Sequence, residues 1–227
     1  MTELWSILLP LAVVTAVLPV QLAVTILLLR SPGGRAKAAA WIGGMTLIRL
    51  AQFAVFGVVL DRAVTDDPAA PSLVEGALLL MVSVLLFVSA ARKLASSPDE
   101  DAPPPRWMTM LDGATTGRAS LMGAGLVALS PKLWAFTLSA IGAIEDAGLA
   151  PGPATATFIA WVVLAESTHL LALLAVVIAP ERGAAAMAGV GAWLERAARP
   201  LMVGISLVFG FWFLAKALGA FGFALGS

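Results

Sequence analysis

The chain has 227 residues, of which 60% are hydrophobic and only 12% charged; its formal net charge is zero and it contains no cysteine. Soluble domains are roughly 25% charged, so the polar surface is too small to cover a water-facing globule. A neutral chain offers no bulk field for nucleic acid, and the missing thiols exclude disulfides, thiolate catalysis and thiolate metal sites.

A transmembrane helix needs about 20 apolar residues, and the chain holds six runs of that kind. The first covers residues 4–29. Glu3 is the only charge ahead of it, and it is longer than the ~7–15 residues of a signal-peptide apolar region, so it is expected to be a span and not a cleaved leader. The second covers 38–60 and contains Arg49; the third covers 72–91. Residues 96–116, SSPDEDAPPPRWMTMLDGATT, combine a proline run with an acidic cluster and read as a tether between halves. The fourth run, 119–144, contains Lys132, and the fifth, 154–179, contains Glu166 and His169. Residues 183–194 read equally as a short interfacial helix, with Met187, Val190 and Leu194 on one face, or as an ordinary loop. The sixth run covers 200–223, with Lys216 late in it and free to snorkel outward. Uninterrupted apolar runs exclude the alternating pattern of barrel strands. The expected fold is therefore all-α, a polytopic membrane protein of six helices.

Loop charge predicts orientation. Arg30, Arg35, Lys37, Arg92, Lys93, Arg106, Arg118, Arg182, Arg196 and Arg199 fall on one set of alternate loops, and Arg62 alone on the other. Basic loops stay cytoplasmic, so both termini are expected outside a plasma membrane. Trp5, Trp41 and Trp193 fall near span ends, as an aromatic belt requires.

The halves resemble each other. PVQLAVT from Pro19 and PKLWAFT from Pro131 match at Pro19/Pro131, Ala23/Ala135 and Thr25/Thr137. Phe87, Ala91, Arg92 and Leu94 pair at one fixed spacing with Phe211, Ala215, Lys216 and Leu218. Three spans per half make this an inverted repeat, residues 1–95 and 118–227 around a linker at 96–117.

Charges at mid-span cost at least about 2.5–3.5 kcal/mol each on insertion scales. Arg49, Lys132 and Glu166 are thus expected to face the interior and share one site. In one reading the cations receive an anionic or zwitterionic head group while Glu166 and His169, on one helical face, carry protons. In the other Glu166 only neutralises a cation and holds helices together, and His169 makes a helix–helix hydrogen bond. Pro19 and Pro131 lie at the middle of runs too long for one straight span. Proline removes a backbone donor and clashes with the carbonyl four residues earlier. Both helices are expected to break or kink there, with Gln21, Thr25, Lys132 and Thr137 just beyond as candidate substrate-binding residues; for Thr25 a bond back to its own helix is the simpler role. One His and one mid-span carboxylate make a poor metal site and no hydrolase constellation. There is no Walker A sequence, so no enzyme, cofactor or metal is expected. The Gly-rich run at 113–125 reads as close helix packing.

The stretch LPVQLAVTILLLRSPGGRAKAAAWIGGMTLIRLAQ, from Leu18 to Gln52, resembles the opening of the actinobacterial GAP/Sap family, the mycobacterial glycopeptidolipid- and sulfolipid-addressing proteins of the lysine-exporter (LysE) superfamily. ALSPKLWAFTLSA, from Ala128 to Ala140, resembles the Asn-Pro-Lys segment of LysE-type exporters, with Ser130 in place of the Asn. The resemblance implies export, or help in export, of a cell-envelope lipid or small solute. A non-transporting scaffold that assists envelope-lipid export is the alternative. Membrane lipids and such a substrate are the implied partners, with homo-oligomers or export machinery left open.

Overall fold

A computed structural model describes residues 2–66, 70–95 and 113–222. Among these residues the secondary structure is entirely helical: α1 (Thr2–Ala16), α2 (Pro19–Arg30), α3 (Gly34–Asp66), α4 (Ala70–Ala95), α5 (Thr116–Leu129), α6 (Pro131–Asp146), α7 (Pro151–Ala165), α8 (Ser167–Ile178) and α9 (Pro180–Ala220). The tether expected at 96–116 lies, as far as residue 112, outside the described residues.

Segments of α3, α4 and α9 are each long and apolar enough to cross a membrane. The other crossings are bent pairs: α1 with α2 at 50°, α5 with α6 at 74°, and α7 with α8 at 63°, giving up to six spans. The outward surface is apolar, with Leu121, Leu129 and Ile178 largely exposed. That surface suits hydrocarbon, not water.

Two of the bends follow from proline. Pro19 and Pro131 each open a helix, at a position where the missing N–H is no loss. The carbonyls left behind still need donors. At the first break the Thr168 hydroxyl donates to the Ala16 carbonyl at 2.5 Å, and at the second the Trp134 indole N–H donates to the Ala128 carbonyl at 2.7 Å. In a straight helix these carbonyls would have received the N–H groups of Val20 and Lys132, four residues on. Ala16 precedes Pro19 by the same three residues as Ala128 precedes Pro131, so both halves leave the same carbonyl open and fill it with a side chain. Ser130 also caps α6, its hydroxyl accepting from the Leu133 N–H at 3.4 Å.

Three sequence expectations need correction. The fifth span is not one helix: it bends at Glu166, whose backbone (φ −104°, ψ 5°) leaves the helical region without any proline nearby. The stretch 183–194 is neither a separate interfacial helix nor a loop. It belongs to α9, which runs 41 residues through Pro200, with Met187 buried. Trp41 is not a belt residue: it sits two turns inside α3 and is 2% exposed.

Close contact between α3 and α5 explains that burial. A Cβ at Gly44 would collide with the Ser120 carbonyl, and one at Gly123 with the Trp41 carbonyl. Glycines on both helices let the backbones touch, the packing that small residues provide in membranes. α4 packs on α9, joined by the Ser83 hydroxyl donating to the Gly210 carbonyl at 2.8 Å and by Phe87 edge-on to Phe211 with centroids 4.9 Å apart.

Candidate substrate site at the helix breaks

The proline breaks meet at a cavity of about 240 Å³. Leu18 and Gln21 line it from the α1–α2 break, Ser130 and Lys132 from the α5–α6 break, and Ser89 and Met202 from α4 and α9. Past the two prolines, which carry no N–H, the N–H groups of Val20, Gln21 and Lys132 have no acceptor within their own helices, Leu133 being capped by Ser130, and both helix dipoles are positive at that end. Lys132 is half-buried in the second position of α6, with its ammonium 6.0 Å from the Phe136 ring centroid. Among the described residues it has no carboxylate partner. Gln21 is 2% exposed and its amide nitrogen lacks an acceptor. The cavity therefore gathers donors and positive charge, chemistry that suits an anion.

Lys132 does not share its site with the other two mid-span charges, contrary to expectation. Arg49 and Glu166 form a separate, fully buried pair, with Arg49 Nη1 donating to Glu166 Oε1 at 2.5 Å. Thr46, one turn before Arg49, donates to Glu166 Oε2 at 2.6 Å. The same hydroxyl lies 3.0 Å from the Ile42 carbonyl, but one proton serves one acceptor and the closer carboxylate is the stronger. The pair ties α3 to the α7–α8 bend. Arg49 Nε and Nη2 and both side-chain amide atoms of Gln52, three residues on, have no protein partner.

His169 links the two regions. It is buried on α8, one turn after Glu166, with Nδ1 3.1 Å from the Thr25 hydroxyl and Nε2 3.3 Å from Gln21 Oε1. Thr25 also lies 2.9 Å from the Gln21 carbonyl. If that carbonyl takes the hydroxyl proton, both imidazole nitrogens face acceptors, which suits a doubly protonated ring. A neutral ring protonated at Nε2 instead turns the Thr25 hydroxyl towards Nδ1. The protonation state of His169 thus selects the hydrogen-bond arrangement behind Gln21, a residue of the cavity wall.

Thr25 and Thr137 do not line the cavity. Thr137 donates to the Leu133 carbonyl one turn back, at 3.0 Å, a pattern that bends helices, while the Thr25 hydroxyl serves either the Gln21 carbonyl or His169 Nδ1 according to the protonation of the ring. Lys216, by contrast, reaches the Ser6 hydroxyl, at 3.4 Å. Among the described residues no group of three His, Cys, Asp or Glu side chains could hold a metal. Sequence reasoning missed Thr46, Trp134 and Thr168. Thr46 could have been found from its place on the Arg49 face of the helix; for the other two the sequence offers no signal.

Among the described residues, an apolar exterior, three helices long enough to span and three bent pairs define a polytopic helical membrane protein. The chain belongs to the family described as "Sap, sulfolipid-1-addressing protein", whose model matches residues 8–219. No curated protein and no solved structure matches the chain.

Proposed function

We propose that this protein is a membrane exporter of an envelope lipid or related amphiphile with an anionic head group, and that the cavity between the two proline breaks receives that head group. The observation that carries the reading is the meeting of Lys132, which has no carboxylate partner among the described residues, and two helix N-termini in one cavity. The family name adds the substrate class, since a sulfolipid is a lipid with an anionic sulfur-acid group.

An inverted repeat supports alternating access around this cavity. Exchanging the halves maps α1–α2 onto α5–α6, α3 onto α7–α8 and α4 onto α9. Under that exchange the α3–α5 packing has its counterpart in α7–α1, and α4–α6 in α9–α2, and both counterparts occur. The self-mapping pair α4–α9 brings equivalent residues Phe87 and Phe211 into contact, as a two-fold axis between them requires. The positive charge of the alternate loops supports an orientation with both termini outside the plasma membrane. Glu166 and His169 supply the proton-dependent element, with no enzyme chemistry, cofactor or metal in the scheme.

The test is reconstitution in proteoliposomes with a fluorescent anionic lipid, following its transfer between leaflets by dithionite quenching. Transfer above protein-free vesicles, lost in Lys132→Ala, supports export. Binding without transfer would favour the scaffold reading; neither binding nor transfer would overturn the assignment of the cavity.

A further inference from the structure

Beside the Lys132 cavity lies a second one of about 370 Å³, lined almost wholly by apolar side chains. The two share Val20, Leu126 and Ser130 as walls, so they adjoin. The second runs between α2, α3 and α5, past Trp41 and Met122. Its rim is open: Val20 is 51% and Leu129 83% exposed, on the surface that faces hydrocarbon. Ligand pockets for drug-sized molecules hold roughly 300–1,000 Å³. The Lys132 cavity alone falls below that range and fits a head group only; the remainder of any larger ligand must continue into the space next to it.

We propose that the two cavities are one amphipathic site, in which the apolar groove holds a hydrocarbon chain of the same molecule whose anionic head rests at Lys132, and that the molecule arrives sideways from the bilayer between α2 and α5. This rests on the exporter reading above and adds to it the route and the place of the chain. Lys132 and the helix N-termini at one end, with near-complete apolarity along the rest, match the charge and polarity of an acylated anion end for end. Water could not carry such a chain to a groove whose mouth opens on lipid-facing Val20 and Leu129; the bilayer can.

Gly125 supplies the test. It lines the groove, and a Cβ built on it meets no heavy atom within 4 Å. Gly125→Phe would therefore fill the groove without disturbing α5, and replacing a helical glycine favours the helix. Gly117→Phe, on the same helix and equally unobstructed, serves as the control. The probe is dibromostearate titrated into nanodiscs holding the full chain. Bromine quenches indole on contact, and the Trp41 contribution is the difference from Trp41→Phe. Saturable quenching of Trp41 is expected, weakened about tenfold or more, the equivalent of ~1.4 kcal/mol, by Gly125→Phe or by Lys132→Ala and unchanged by Gly117→Phe. Butyl sulfate, an anion with almost no chain, is expected to bind Gly125→Phe as it binds the wild type and to lose binding in Lys132→Ala. Equal quenching by dibromo-phosphatidylcholine, or no effect of Gly125→Phe, would overturn the groove while a Lys132 effect on butyl sulfate leaves the head-group reading standing. Insensitivity of both ligands to Lys132→Ala would overturn the two together.

Discussion

The proline breaks and the Glu166 break bend the chain by similar angles, 50° and 74° against 63°, yet they are held differently. At Pro19 and Pro131 the straight helix is disfavoured locally, because the proline removes a donor and clashes with the preceding turn. Side chains then repair the open carbonyls of Ala16 and Ala128. At Glu166 no donor is missing: its N–H still reaches the Val162 carbonyl at 2.9 Å. Here the carboxylate is drawn to Arg49 and Thr46 on another helix. One kind of bend is written into the backbone and repaired from outside; the other is imposed from outside on a backbone that could run straight.

The largest effect should come from Glu166→Ala. It leaves Arg49 buried without its counter-ion, a loss of about 3–5 kcal/mol. Thermal unfolding in detergent should show a strongly destabilised protein, and the Arg49→Met, Glu166→Met double variant should recover most of the difference. Spin labels on α7 and α8 should also report a straighter pair in Glu166→Ala; an unchanged angle with unchanged stability would break the distinction between the two kinds of bend.

A smaller effect is expected when a carbonyl loses its repair. Thr168→Val and Trp134→Phe each leave one half-buried carbonyl unpaired, at up to about 1–3 kcal/mol. The bends themselves should persist, since the prolines remain. Similar losses in the two variants would sharpen the parallel between the halves, whereas straightening of either pair would show that the side chain, and not the proline, sets the angle.

The smallest change in stability should come from Pro131→Ala. A proline at a compatible position contributes about 0.4–1 kcal/mol through the unfolded chain, while the Ser130 cap and the Trp134 bond remain. Denaturation that shifts by much more than this would mean that Pro131 alone holds the junction.

The same contrast explains what could be read from the sequence. The all-helical membrane fold and the breaks near Pro19 and Pro131 follow from hydropathy and from the missing N–H, which are properties of the local chain. The bend at Glu166 was not legible, because it depends on Arg49 and Thr46, about 120 positions earlier. The length of α9 was missed for a related reason: glycines and charges interrupt the apolar run over 180–199, and the packing that buries Met187 is not visible in the local sequence. Within the site, sequence placed charge at mid-span but could not tell which charges meet. Arg49 and Glu166 found each other, and Lys132 was left to the cavity, because the bend between α5 and α6 carries it towards α2.

The central claim is that the cavity at the proline breaks holds an anionic head group through Lys132. Its most direct test is the rate of anionic-lipid transfer between leaflets in proteoliposomes, compared for Lys132→Ala and Lys216→Ala. Lys216 is the control, because it touches Ser6 and not the cavity. The account predicts a loss of about tenfold or more for Lys132→Ala, as removal of a charge-assisted contact worth ~1.5–3 kcal/mol implies, and near wild-type transfer for Lys216→Ala. Equal rates in the two variants would contradict it.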